Sequence, residues 1–154
     1  MIKRIRRDPR PFILILVGLA ILGAFLLVVS PLFAMSGKPK ADLGGVIPTT
    51  AQVGTPFEVD VGFDNTGDSV INPTCVLIDV TGPLDPSSVS FQGLDVATVK
   101  DGEACGGALN GQETISMKIV MTTTGRGTAR VTLTPAQGIN AIGVGVTGTV
   151  TVAG

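Results

Sequence analysis

Cys75 and Cys105 are the chain's only two cysteines and stand about 30 positions apart. Two thiols can close into a disulfide, or they can hold a metal or cycle between redox states. The metal and redox readings call for a Cys-x-x-Cys spacing, a histidine or further ligands close by. The chain has no Cys-x-x-Cys and no histidine. An even cysteine pair in an exported chain reads as a structural bridge. Closing a loop of that length is worth roughly 3.5 kcal/mol through the entropy it removes from the unfolded state.

Other residues offer weaker chemistry. Asp64, Asn65 and Asp68, joined by Asp101 or Glu103, could gather oxygens around calcium. The string from residue 64 to 75 lacks the EF-hand's glycine at the sixth place and glutamate at the twelfth, so a solvated turn is the expectation. Met117 and Met121 share one face of a strand. Copper(I) ligation would need more sulfur nearby, so core filling is expected. Lys100 and Lys118 are the formal candidates for a serine–lysine nucleophile, but no Ser-x-x-Lys motif accompanies them. Gly143, Gly145 and Gly148 spell Gly-x-Gly-x-x-Gly within a strand-like run that opens no helix, which removes the dinucleotide reading. Asn72-Pro73-Thr74 is blocked as a glycosylation sequon by its proline. With no His, Trp or Tyr, histidine catalysis, histidine-ligated metals and Trp/Tyr sugar platforms are all excluded on this chain. No catalytic residue, resident metal or cofactor is expected.

The elements that carry these residues divide sharply by charge. Residues 1–40 hold seven bases and one acid, a net +6, whereas residues 41–154 hold four bases and eleven acids, a net −7. The acidic part disfavours nucleic acid as a partner, because phosphate binding needs clustered Lys and Arg. Residues 1–11 contain five bases, and no charge follows Arg10 until Lys38. The apolar run from residue 12 to 34, as a helix, would span roughly 34 Å, enough for a hydrocarbon core of about 30 Å. Residues 1–11 are thus expected to stay cytoplasmic, and residues 12–35 to form one transmembrane helix. A cleaved signal peptide is the competing reading, with Ala34-Met35-Ser36 as its processing pattern. No cysteine follows the run, so a lipoprotein anchor is excluded. Either way residues 42–154 are exported, after a linker at residues 36–41.

In the exported part the dominant signal is period-two alternation. Phe57, Val59, Val61 and Phe63 alternate with Glu58, Asp60, Gly62 and Asp64, followed by turn residues at 65–68. Residues 74–81 place Val76, Ile78 and Val80 on one face, which points Cys75 and Leu77 outward. Residues 114–122, 128–134 and 141–152 alternate in the same way; the last sets Ile142, Val144, Val146, Val150 and Val152 inward. A short first strand is expected at residues 42–47, and weaker strands at 89–91 and 96–99. Residues 82–88, with two prolines, and the glycine-rich 101–112 read as loops. Seven or eight strands without an amphipathic helix predict an all-β, immunoglobulin-like β-sandwich.

Val53-Gly54, the alternating residues 57–64 and Asn65-Thr66-Gly67-Asp68 resemble the bacterial CARDB-type and related immunoglobulin-like extracellular domains. The resemblance implies an adhesion, spacer or scaffold module without catalytic residues. Its single copy departs from repeat stalks. The expected function is therefore a non-enzymatic, single-pass membrane protein that presents one domain at the cell surface to another surface protein. Two alternatives remain: a structural subunit of a surface filament, and a secreted accessory or ligand-binding module of a larger complex. Against the filament, Arg10-Pro11 precedes the apolar run and no acid lies inside it, unlike type IV prepilins. The partner, the oligomeric state and calcium binding at residues 64–68 are not legible in the sequence.

Overall fold

Alternating apolar residues become strands because one face of each can be buried while the other stays wet. The computed structural model describes residues 37–92, 94 and 96–154, so the expected transmembrane helix lies outside the described residues. Twelve strands follow: β1 (Ala41–Gly45), β2 (Thr50–Gln52), β3 (Phe57–Asn65), β4 (Cys75–Thr81), β5 (Leu84–Phe91), β6 (Val96–Thr98), β7 (Glu103–Cys105), β8 (Thr114–Thr123), β9 (Gly127–Gln137), β10 (Asn140–Ala141), β11 (Gly143–Val144) and β12 (Val146–Ala153). They form two sheets. The first runs β11-β1-β3-β8-β5-β6, and the second β2-β12-β9-β4-β7, with β10 beside β9. Both are mixed, since β1 pairs with β11 and β2 with β12 in parallel.

The core lies between the sheets. Val59 and Phe63 of β3, Ile119 and Met121 of β8, and Val131 and Leu133 of β9 are fully buried. Burying side chains of this size is worth about 1.5–3 kcal/mol each. Glu58 and Asp60 face solvent as the alternation requires. Met117 and Met121 belong to this core, the place expected of them.

The expected strand count of seven or eight is too low. Short strands raise it, and each was hidden for a local reason. The stretch expected to be a loop at residues 82–88 is mostly β5, which tolerates Pro86. The ladder with β8 breaks register between Pro86 and Ser88, and β6 begins pairing only at Ser88. At that irregularity the missing N–H of proline removes no ladder bond to β6. The glycine-rich residues 101–112 contain β7, and Leu109 within them is buried against the core and bridges to Ile71. The expected final strand at 141–152 breaks into β10, β11 and β12, because the chain visits both sheets in turn. Val144, expected inward, is 69% exposed on the two-residue edge strand β11.

Candidate functional site

Cys75 and Cys105 are register partners on the antiparallel strands β4 and β7, with Cα atoms 4.1 Å apart, and their sulfurs are bonded. The alternation argument that turned Cys75 away from the core holds. The bridge is on the face of β4 opposite Val76 and Ile78, as alternation requires, but it is not on an exposed surface: Cys75 and its β9 partner Ala136 are fully buried, and Leu77 is half-buried. The bridge fastens β7 to β4 and so holds part of the 101–112 segment. Around it the 101–112 segment is also tied by the Ile78 N–H to the Gly102 carbonyl, and by the Gly106 N–H to the Thr74 carbonyl.

Glu103 brings Oε1 to 3.1 Å from the Cys105 sulfur. Cys75, Glu103 and Cys105 are the one group of three possible metal ligands that converges among the described residues. With both sulfurs committed to the bridge, neither is available as a thiolate ligand.

The structure separates the residues suggested for calcium. Glu103 lies on β7 beside the bridge, and Asp101 on the turn before it. Asp64 and Asp68 sit with the 109–114 segment. Asp64 accepts from the Thr114 hydroxyl, and Asp68 from the Gln112 side-chain amide. Asn65 is fully buried and fully used. Its amide nitrogen donates to the carbonyls of Ser69, Leu109 and Asn110, and its amide oxygen accepts from the Gly67 N–H. This is an Asx turn that ties two loops together, and it accounts for the asparagine without an ion. A glycine at residue 67 keeps the turn close to the chain near Lys40.

The lysines divide too. Lys118 of β8 lies opposite Asp60 on β3 and opposite Ser90 on β5. That is the one register where a serine and a candidate lysine base are paired. Lys118 donates to Glu58 at 2.9 Å and lies 4.0 Å from Asp60. The hydrogen bond to Glu58, with Asp60 and Glu58 charge behind it, raises its pKa above the ordinary lysine value. A lysine base needs the opposite shift. Lys100 is tied through its backbone to Glu103, in the turn before β7.

The Gly-x-Gly-x-x-Gly string has a packing explanation. A Cβ at Gly143 would overlap the Ala41 carbonyl, and one at Gly145 the Leu133 carbonyl. At Gly148 it would come within 2.6 Å of the Ile47 side chain. These glycines let the last strands press against β1 and β9 while the chain changes sheets. They cradle backbone, not phosphate.

The remaining recesses are open surface grooves. One of 390 Å³ runs along β2 and the start of β3, lined by Pro48, Thr50, Gln52, Thr55, Phe57 and Glu58 among others. Another of 390 Å³ lies beside the disulfide, lined by Thr98, Lys100, Asp101 and Glu103 among others. On the outer face of the second sheet, Asp79, Thr81, Arg130 and Thr132 outline a third. The first sits where β3 loses its neighbour on one side, a feature that no residue pattern in the sequence reports.

No family model matches the sequence, and no curated protein matches it. Solved structures do match its fold. The CARDB domain of a Pyrococcus furiosus protein aligns with a TM-score of 0.53 at 18% identity, covering 75% of this chain and 95% of that one. A cohesin module from a Clostridium perfringens family 33 glycoside hydrolase aligns with a TM-score of 0.53 at 12% identity, covering 75% and 98%. AvmM, which catalyses macrocyclization in alchivemycin A biosynthesis, aligns with a TM-score of 0.52 at 13% identity, covering 75% and 89%. A likeness at such identities is one of fold. The CARDB-type resemblance carried by residues 53–68 thus extends to the whole sandwich, which is an all-β domain with the architecture of CARDB and cohesin modules.

Proposed function

We propose that the chain is a non-enzymatic interaction module held outside the cytoplasm by a single N-terminal membrane anchor. The observation that carries this reading is the disulfide on a domain that follows a basic and then an apolar segment. A structural disulfide is formed and kept where the surroundings oxidise thiols, and the basic residues before the apolar run favour a cytoplasmic N-terminus. Sandwiches of this architecture include binding modules such as cohesin, and here the function is a contact with another surface protein. The alternative of a cleaved leader exports the same domain and changes only its attachment.

Protease added to intact cells tests the topology: the domain is expected to be digested, and a reporter fused after Gly154 to be active outside. A domain that survives on intact cells, with a reporter active in the cytosol, overturns the reading. Affinity capture from solubilised membranes, with the captured protein identified and its binding reconstituted from purified components, tests the contact itself.

A further inference from the structure

β3 is paired on both sides over only part of its length. The ladder between β1 and β3 ends at the Gly45–Val61 pair. Residues 46–49 then cross to β2 in the second sheet, while β8 continues beside β3 as far as Phe57. Gly45 permits the departure. Its φ is +141°, and a Cβ there would stand 3.1 Å from the Asp60 carbonyl oxygen and the Val61 side chain. Among the described residues, therefore, no strand pairs with residues 57–60 on the β1 side.

The direction of the main-chain groups follows from the ladder. The Asn65 N–H donates to the Glu113 carbonyl on the β8 side. Backbone groups alternate in direction along a strand. Odd-numbered residues of β3 thus bond toward β8, and Glu58 and Asp60 turn their main-chain groups toward the β1 side, where the Asp60 carbonyl lies against Gly45 and the Asp60 N–H and both Glu58 groups lie beyond the ladder. About 7 Å of strand is presented, beside the 390 Å³ groove lined by Pro48, Thr50 and Gln52. Val46, which is 80% exposed, follows the last paired residue of β1.

Charge selects the occupant. The Glu58 and Asp60 side chains stand on the solvent face, and one cation, Lys118, serves both from the β8 side. On the other flank the two carboxylates have no cross-strand neighbour. A second copy of the same edge would set Glu58 and Asp60 against their equivalents, and like charges across a strand pair repel. A strand carrying Lys or Arg at alternate positions would repeat on this flank what Lys118 does on the other. Other open edges among the described residues are β2, β6, β7 and β11, residues 146–150 of β12 beyond β2, residues 84–86 of β5 beyond β6 and residues 79–81 of β4 beyond β7; none of them carries more than one carboxylate.

We propose that the Glu58–Asp60 edge accepts an extended basic segment of a partner protein, added antiparallel to β3 along the line that β1 leaves. This rests on the reading of the chain as an interaction module. Main-chain bonds to Glu58 and Asp60 supply the docking, and the two carboxylates supply the preference for basic side chains.

Hydrogen exchange read by NMR on the full chain in mild detergent tests it, with a short acetylated peptide of alternating Lys and Val as the probe and its Glu/Val counterpart as control. In the free chain the Glu58 and Asp60 amides are expected to exchange fast, between protected Val59 and Val61. Saturating Lys/Val peptide is expected to slow both by about tenfold or more; the Glu/Val peptide is expected to leave them unchanged. Asp60→Lys is expected to reverse the preference, and Asp60→Asn to weaken Lys/Val binding in a variant whose charge change is smaller. Protected Glu58 and Asp60 amides in the free chain, perturbation centred elsewhere, or equal binding of the two peptides overturns the proposal. A purified surface partner that Asp60→Lys holds as tightly as wild type removes the edge and leaves the interaction module standing. A domain found in the cytosol whose edge still takes the Lys/Val peptide does the reverse.

Discussion

Replacing both Cys75 and Cys105 by alanine removes the bridge without leaving a lone thiol. The sequence separation is 30, and loop-closure entropy for a ring of that size gives about 3.6 kcal/mol at 25 °C. The unfolded chain gains that freedom, while the native pairing of β4 with β7 persists through three register pairs. For a domain of roughly 120 residues, a loss of that size lowers the melting temperature by about 14 °C. Alanine is smaller than cysteine, so the buried Cys75 site adds a fraction of a kcal/mol for lost packing. The assay is denaturant or thermal unfolding of four samples: wild type and double-alanine variant, each oxidised and reduced. Oxidised wild type is expected to stand alone. Reduced wild type should melt close to the variant, and reductant should not move the variant. Thiol titration of the native chain should find none until reductant and denaturant are present together. If the oxidised variant melts with the oxidised wild type, or the native chain offers two titratable thiols, the bridge is not what holds β7 to the sheet.

Three further outcomes follow from the packing. Gly143→Ala and Gly145→Ala should each cost more than about 2 kcal/mol in unfolding experiments, because their Cβ atoms overlap backbone carbonyls; Gly44→Ala, with nothing within 4 Å of its Cβ, is the control expected to shift little, and equal effects at all three would remove the close-approach argument. Asn65→Ala should cost about 2–4 kcal/mol, since three loop carbonyls and the Gly67 N–H lose their partner, and faster amide exchange at Gln112 and Leu109 should accompany it; a neutral result would mean that the loops hold each other without the asparagine. Lys118 should titrate above the ordinary lysine value by NMR and fall back toward it in Glu58→Gln. Because the shift is upward, the stabilisation from the pair is present below the ordinary lysine pKa and lost as pH rises through the raised value; an unchanged titration in the variant refutes Glu58 as the cause.

Much of this protein follows from local pattern. Period-two alternation identifies the cores of β3, β4, β8 and β9, because a strand with one buried face must write that face into every second residue. The pattern also sets Cys75 on the opposite face of β4 from Val76 and Ile78, but not its burial, which other segments supply. The charge division and the uncharged run between Arg10 and Lys38 are likewise properties of the chain read in order.

Other features exist only between segments distant in the chain. Ile71 and Leu109 lie in stretches with turn composition, yet each is buried because the other segment closes over it. Asn65 reads as part of an acidic turn; only the approach of the 109–110 loop turns it into a fully bonded buried amide. The glycines at residues 143, 145 and 148 look like a nucleotide fingerprint until Ala41, Leu133 and Ile47 arrive beside them. The open flank of β3 is the clearest case. Residues 57–64 alternate without interruption, and nothing in them records that their neighbour departs at Gly45. Alternation encodes which face of a strand is buried. Which edge is paired is decided by where another segment of chain ends, and that is a property of the tertiary structure alone.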